Sequence, residues 1–219
     1  MKTLETVARV AAKIAPGRLP SFAEAHVIKA LEDISSLGTV GRLKLSKDLD
    51  LGEGEARTLV KHLKNEGLVE VSRSGISLSA AGKRLLFFLR TLLSEQVEIP
   101  CTPLTIGPFN VAVRVAGMKD FVKYGLEQRD AAITAGAKGA TTLVFTKNGL
   151  AMPGAKEDVS ESGSSIIAAL SKLNLTEGDV IIIGSADEKI KAEIGVKTAA
   201  LELLRTKDRT NFNRSTSES

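Results

Sequence analysis

The sequence predicts an α+β N-terminal winged helix-turn-helix over residues 1–94 and an α/β C-terminal domain with a mixed sheet over residues 109–205. Within the first domain, residues 42–84 hold two short helical patterns, two short strand patterns and the start of a third helix. In the second domain, strand-like runs alternate with helical runs, as in α/β proteins. Residues 95–108 contain three prolines and are predicted to be a linker, and the Ser/Thr/Asn/Arg-rich residues 206–219 are predicted to be a disordered tail.

Charge is distributed unevenly along the 219 residues. Residues 1–94 carry 15 Lys and Arg against 10 Asp and Glu, whereas residues 95–219 carry 15 against 16. Positive charge on one half fits a nucleic-acid module joined to a domain with another task. No apolar run approaches the roughly 18–20 residues that cross a bilayer, no signal-peptide pattern opens the chain, and a single cysteine excludes an intramolecular disulfide. We therefore expect a cytoplasmic protein with no membrane partner.

The second helix of the motif, Glu53 to Glu66, is predicted to be amphipathic. Its apolar residues recur at helical spacing, at Ala56, Leu59, Val60 and Leu63. The opposite side carries side chains that can neutralise phosphates or reach base edges in the major groove: Arg57, Thr58, Lys61, Lys64 and Asn65. This pattern is typical of a recognition helix and predicts double-stranded DNA as the partner.

A two-stranded wing is predicted after this helix. Residues 68–71 and 76–78 have strand patterns, and the Ser/Arg/Ser/Gly run at 72–75 supplies the turn. Arg73 lies at the predicted wing tip, where it can enter a minor groove or contact a phosphate. Ser79 is expected to cap the helix that follows.

Two other interpretations of this half stay open. Charges on one helix face are usually a solvated surface, and winged helices also serve as protein-interaction modules. Glu53 and Glu55 at the helix start favour the helix dipole and would repel phosphate if they faced a duplex. The alternatives to DNA binding are therefore a protein-interaction scaffold and a purely structural role.

The run LVKHLKNEGLVEVSRSGISLSAAGKRLL resembles the second half of MarR- and ArsR-like winged-helix transcription regulators. In those proteins an EGLV sequence ends the recognition helix and an SLSAAGKRL sequence leaves the wing. A wider set of segments, GRLPSFAEAHVIKALEDI, GEGEARTLVKHLKNEGL and QRDAAITAGAKGATTLVF, is similar to an archaeal two-domain family of uncharacterised function. That second resemblance covers most of residues 17–205 and implies no established activity.

The helix that leaves the wing is apolar on more than one face between Lys83 and Leu93. One apolar face suffices to attach a helix to its own domain, so the extra face indicates a second partner surface. We expect a homodimer, to which this helix and residues 2–14 contribute, because two half-sites double the contacts with DNA. The alternative is burial of this helix between the two domains.

Two features of the C-terminal half suggest a small anionic ligand. Arg129, next to Asp130, can hold a carboxylate or phosphate, and Thr141 and Thr142 can donate hydrogen bonds. Gly184 and Ser185 lie between a buried strand and a helix, a junction that can bind an anion. The simpler interpretation of the first feature is a surface charge pair beside turn glycines. The simpler interpretation of the second is ordinary helix capping. If both features face one cleft, they form a pocket for a metabolite.

No catalytic set is recognisable in the sequence. The two histidines, His26 and His62, lie in the first half, and no metal-spaced Cys/His cluster, Ser/His/Asp set, P-loop or GxGxxG fingerprint is present. We therefore expect no catalytic residues, no metal and no cofactor. The function predicted is a transcriptional regulator in which a metabolite changes the spacing of two winged helices. The alternative is an enzyme acting on a phosphorylated or nucleotide substrate.

Overall fold

The computed structural model describes residues 2–12, 21–154 and 164–217, with only the backbone described at 164–165 and 208–217. It divides into two compact units, residues 1–90 and residues 91–219. Among the residues so described, no helix is long and apolar enough to cross a membrane.

The first unit is a helical domain with a two-stranded wing. Its helices are α1 (Lys2–Ala11), α2 (Glu24–Leu37), α3 (Arg42–Asp48), α4 (Glu53–Asn65) and α5 (Ala80–Leu92), and its strands are β1 (Val69–Ser72) and β2 (Gly75–Leu78). β1 and β2 pair antiparallel, and Val40 adds an isolated bridge to Ile76 on the other side of β2. Helices α3 and α4 therefore follow one another immediately before the wing, as the sequence predicts.

Ser79 caps α5. Its hydroxyl accepts a hydrogen bond from the N–H of Gly82 at 3.0 Å and donates one to the carbonyl of Gly67 at 2.6 Å. The first contact satisfies a free N–H of the helix start, and the second ties α5 to the base of the wing. The wing and α5 are thus fixed to each other by a single side chain.

Helix α1 packs against α2 and α4 within this unit. Its apolar residues Leu4, Val7 and Val10 are buried. The carbonyl of Val10 lies 2.8 Å from His62 Nδ1 on α4, and this distance is a hydrogen bond. The apolar face of α1 is therefore used inside the unit, which differs from the expectation that residues 2–14 contribute to a dimer; residues 13 and 14 lie outside the described part of the chain.

The second unit is built on a five-stranded sheet. Its strands are β3 (Val97–Glu98), β4 (Phe109–Val115), β5 (Gly139–Thr146), β6 (Gly149–Ala151) and β7 (Val180–Ala186), in the spatial order β3-β4-β7-β5-β6. Its helices are α6 (Leu126–Thr134), α7 (Ser164–Leu170) and α8 (Lys189–Ser217), with short 3-10 segments at Lys119–Phe121 and Ser171–Leu173. The fold class predicted from the sequence is confirmed. Every strand pairing that the structure describes is antiparallel, whereas the sequence suggested a sheet with both parallel and antiparallel pairs.

The two faces of this sheet are covered by different helices. Side chains of β7 alternate between faces, so Ile181 and Ile183 join α7 in one apolar cluster while Gly184 faces α8. A Cβ at Gly184 would lie 2.8 Å from the carbonyl oxygen of Ala192. Glycine at this position therefore lets α8 lie directly on the sheet.

Two segments differ from their expected roles. The predicted linker 95–108 contributes β3 to the sheet, and Ile99 is buried in the cluster beside α7. The predicted disordered tail from residue 206 continues α8 to Ser217. The pairing of β3 with β4 depends on residues that are distant from it in the chain, and the segment from residue 206 continues a helix that begins at Lys189.

Asp179 fixes the loops around the start of β7. Its carboxylate accepts hydrogen bonds from the N–H groups of Gly117 and Thr176, both at 2.9 Å, and lies 3.5 Å from a guanidinium nitrogen of Arg114. Burial acts to raise the pKa of Asp179, but the hydrogen bonds from Thr176 and Gly117 and the charge of Arg114 outweigh it and hold the pKa below its ordinary value. This residue therefore has a structural role in the second unit.

Candidate nucleic-acid interface

Helix α4 has a buried apolar side and an exposed polar side, with His62 as the polar residue on the buried side. Ala56, Leu59, Val60 and Leu63 are buried, as the sequence predicts. The exposed side holds all five side chains that were predicted to meet DNA on this helix: Arg57, Thr58, Lys61, Lys64 and Asn65. Arg57, Lys61 and Lys64 are spaced i, i+4 and i+7, which places them in one stripe along the helix. We call these three residues the cationic stripe.

The cationic stripe is available to a partner. Arg57, Lys61 and Lys64 make no hydrogen bond or ion pair with the residues that the structure describes, and the same holds for Arg73. Thr58 donates its hydroxyl hydrogen to the carbonyl of Gly54 at 3.0 Å, so its oxygen keeps lone pairs that can accept. Four cations therefore face solvent without an ion-pair partner in the described part of the chain.

Two of the three acidic residues of the segment 53–66 are occupied by contacts inside the unit. The carboxylate of Glu55 accepts the N–H of Gly52 at 2.9 Å, and Glu66 pairs with Arg9 at 3.0 Å. Glu53 is exposed, and its carboxylate makes no contact of this kind within the described ranges. Of these three carboxylates, only that of Glu53 therefore lacks a hydrogen-bond or ion-pair partner within the described ranges.

Glu53 and Arg57 line an open groove of about 360 Å³ between the starts of α3 and α4. The α3 side of the groove is formed by Gly41, Arg42 and the half-exposed Leu43. This groove combines a cation, an anion and an aliphatic surface at the N-terminal end of α4, where a recognition helix presents side chains to base edges.

Arg73 lies in the turn of the wing. Ser72 Oγ lies 2.7 Å from Ser74 Oγ and donates to the carbonyl of Gly75 at 3.2 Å, so the turn is tight. Gly75 has φ of +133°, a conformation that side chains rarely adopt. The turn holds Arg73 on the surface, at the tip that the sequence predicts.

Sequence reasoning missed the role of His62. It lies on α4, but it is 5% exposed and its ring packs edge-on against Phe22, with ring centroids 5.6 Å apart. The carbonyl of Val10 is only an acceptor, so His62 Nδ1 donates this hydrogen bond. His62 therefore holds α4 to α1 and does not face a DNA partner. Its position between the apolar residues Leu59 and Leu63 was the sequence signal that could have predicted its burial.

The other histidine, His26, lies in the first turn of α2. Burial lowers the pKa of His26 below its ordinary value near 6.5. The N–H of Ala23 donates to its Nδ1 at 3.1 Å, an arrangement that needs an unprotonated Nδ1. A neutral His26 thus caps the helix.

In the second unit, Thr141 and Ser185 hold one loop to the sheet. Thr141 donates to the carbonyl of Leu104 at 2.7 Å. Ser185 donates to Asn110 Oδ1 at 2.6 Å and accepts the N–H of Ile106 at 3.3 Å. Both hydroxyl groups, which the sequence suggested for a ligand, therefore have partners in the chain.

Thr142 and Gly184 lie on the other face of the sheet from this pair, and Arg129 pairs with its neighbour in the chain. Arg129 bonds to the adjacent Asp130 at 3.0 Å, and both side chains are at least half exposed. Thr142 is buried on the sheet face opposite Thr141, the face to which Gly184 also belongs. The structure thus brings Thr141 and Ser185 to one loop and leaves Thr142 and Gly184 on the other side of the sheet.

An apolar groove of about 360 Å³ lies elsewhere in this unit. It runs between the β5–β6 hairpin and α7, and its apolar lining is Phe145, Leu150, Ile167, Leu170 and Leu175. None of the six predicted ligand residues lines it.

Comparisons with known proteins give one family match for each of the two units. Residues 27–93 match the family model of the CggR N-terminal DNA binding domain, and residues 106–203 match the model of a domain of unknown function, DUF4443. The chain joins a CggR-like region to a DUF4443-like region. No curated protein matches the chain. Among solved structures, hypothetical protein PH0730 from Pyrococcus horikoshii OT3 is similar at 26% identity, with a TM-score of 0.65, over 82% of this chain and 98% of that one.

These matches agree with the two-domain resemblance that the sequence suggests. The CggR-like region begins within α2 and ends after α5, so it contains α3, α4 and the wing. It does not contain α1. The DUF4443-like region runs from the loop before β4 into α8. A MarR- or ArsR-like winged helix is compatible with the first match.

Proposed function

We propose that this protein is a transcriptional regulator, located in the cytoplasm, whose first unit binds double-stranded DNA through α4 and the wing. The observation that carries the proposal is the cationic stripe, which lies opposite the buried face of α4 and whose three cations make no ion pair with the described residues. The CggR-like match over residues 27–93 supports the same partner.

In the proposed complex, α4 lies in the major groove. Arg57, near its N-terminal end, faces base edges, with Thr58 beside it, while Lys61 and Lys64 neutralise phosphates and Asn65 reaches a base or sugar. Arg73 of the wing contacts the adjacent minor groove or its phosphates.

The salt dependence of binding tests this proposal. We expect the logarithm of the affinity for a labelled duplex to fall linearly with the logarithm of the salt concentration, with a slope of about −3 per protomer, because Lys61, Lys64 and Arg73 each neutralise a phosphate and each contributes about −0.9. Fluorescence anisotropy from low to physiological salt gives the slope. A protein that binds no duplex even at low salt would contradict the proposal.

We further propose that the protein is a homodimer through α5. Phe87 and Phe88 are 66% and 53% exposed on this helix, and their rings contact each other edge to face at 5.7 Å. Two adjacent exposed aromatic rings form an apolar surface that favours a partner. A second copy is the proposed partner because paired winged helices bind paired half-sites.

The second unit is proposed to hold the dimer or to sense a small anionic metabolite. Arg129 is the candidate cation for such a ligand, and a ligand there would have to replace Asp130 as its partner. The alternative enzyme function needs Arg129, Asp130 and Ser185 to converge on a substrate. Ser185 instead binds Asn110 and Ile106, so no observation favours that alternative.

One experiment tests both the dimer and the ligand. Native mass spectrometry of the wild-type protein is expected to give the dimer mass, with any retained ligand as an added mass. The Phe87→Gln/Phe88→Gln variant is expected to be monomeric because its apolar surface is removed. The matched control is Leu126→Gln/Ile133→Gln, which changes two exposed apolar residues of α6. Wild-type protein that is monomeric at all concentrations would contradict the dimer.

A further inference from the structure

We propose that Glu53 determines sequence specificity, by accepting a hydrogen bond from the N4 amino group of a cytosine close to the guanine that Arg57 contacts. This inference rests on the proposed DNA-binding function and goes beyond it, because it names a base preference and assigns it to an acidic residue. Glu53 is an exposed anion on a face whose other charged residues are cations.

The contacts of the two glutamates at the start of α4 differ. Glu55 turns back and accepts the N–H of Gly52 at 2.9 Å. Glu53 is exposed, has no hydrogen-bond or ion-pair partner in the described part of the chain, and lines the groove with Arg57. Because it is four residues before Arg57, it lies on the same stripe, one turn nearer the helix start. Only Glu53 is therefore presented to a partner of this face.

The position of Glu53 at the start of α4 limits the DNA groups that its carboxylate can contact. N-terminal residues of a recognition helix lie near base edges, whereas a carboxylate beside a phosphate would be repelled. In the major groove a carboxylate needs a donor, and the amino group of cytosine is the donor that Glu and Asp use. Arg57 has the complementary preference, since a guanidinium binds O6 and N7 of guanine in a bidentate manner.

The spacing along the helix gives the expected pattern in the DNA. Four residues of α-helix rise about 6 Å, which is close to two base-pair steps of about 3.4 Å each. The recognised site should therefore contain a cytosine within about two base pairs of the guanine contacted by Arg57. Leu43, on the other side of the groove, supplies an aliphatic contact next to this pair.

A general electrostatic role predicts a different outcome. A carboxylate in the first turn stabilises a helix through its dipole, and the loss of that charge would tighten binding to every duplex equally. A base-reading role predicts that the preference changes at one position. The conservative variant Glu53→Gln separates the two, since glutamine pairs with adenine through N6 and N7.

The experiment selects duplexes from a random library with the full-length wild-type protein, the Glu53→Gln variant and the Glu55→Gln variant as matched control. We expect the wild type and Glu55→Gln to enrich a cytosine at one position near a guanine, and Glu53→Gln to change that position towards adenine. Replacing this cytosine by thymine should weaken wild-type binding about tenfold and leave Glu53→Gln within about twofold.

A second measurement needs no variant. In a duplex with N4-methylcytosine at the selected position, the methyl group takes the place of the major-groove hydrogen, so wild-type binding should again weaken about tenfold. Selection of the same cytosine by Glu53→Gln, or full wild-type affinity for the methylated duplex, would overturn the inference alone. A wild type that binds no duplex and enriches no sequence would overturn the proposed function as well.

Discussion

Reversal of two charges of the cationic stripe, in the Arg57→Glu/Lys61→Glu variant, is expected to weaken binding to duplex DNA roughly 100-fold at about 0.1 M salt. Both side chains are exposed and have no partner among the described residues, so their loss leaves the fold intact. Lys61 neutralises a phosphate whereas Arg57 contacts a base edge, so the salt slope should become shallower by about 1. Anisotropy titrations at several salt concentrations measure both quantities.

The matched control makes the same charge change in the other unit. Lys147 and Lys172 are exposed residues there. Because neither belongs to α4 or the wing, Lys147→Glu/Lys172→Glu is expected to keep affinity within about threefold. Thermal melts of both variants report the fold. Equal affinity and equal slope for the two variants would show that α4 is not the DNA-binding element.

Replacement of Gly82 by alanine is expected to destabilise the first unit by roughly 2–4 kcal/mol. Alanine inside a helix is normally more stable than glycine by about 1 kcal/mol, so the expected sign is reversed. The reason is that a Cβ at Gly82 would lie 2.1 Å from the carbonyl oxygen of Leu68, which also accepts the N–H of Ser79 at 3.0 Å. The backbone of α5 and the backbone before β1 must then separate.

Gly54 provides the comparison for this prediction. It lies in α4, and a Cβ there would meet nothing within 4 Å. Gly54→Ala should therefore stabilise the protein by about 0.5–1 kcal/mol. Urea unfolding followed by circular dichroism measures both changes. Stabilisation by Gly82→Ala would mean that α5 does not contact the wing as closely as the structure indicates.

The sequence was sufficient for α4, the two strands after it and the start of α5 because the signals of these elements are local. The apolar stripe of α4 has helical spacing, Ser79 caps the helix that follows it, and a short polar turn separates two strand patterns. Each of these features depends on residues that are neighbours in the chain. The exposed residues of α4 follow directly once the buried stripe is known.

Whether the candidate ligand residues meet in one site could not be predicted in the same way, because their positions depend on the direction of the strands. A strand followed by a helix indicates a ligand crevice in a parallel sheet, where the carboxyl ends of the strands lie at one edge. The sheet here is antiparallel in all described pairings, so no such edge exists. Ser185 instead meets Asn110 and Ile106, more than 70 residues earlier in the chain, and local patterns carry no information on such contacts.

The packing of α1 has a practical meaning for any work on an isolated DNA-binding fragment. The match to the CggR model begins at residue 27, and a fragment cut there would lack the partner of His62 and the ion-pair partner of Glu66. Its α4 would carry an unpaired buried imidazole and would expose the apolar surface that α1 covers. A fragment that reports the behaviour of the whole protein should therefore begin at the N-terminus of the chain and extend through α5.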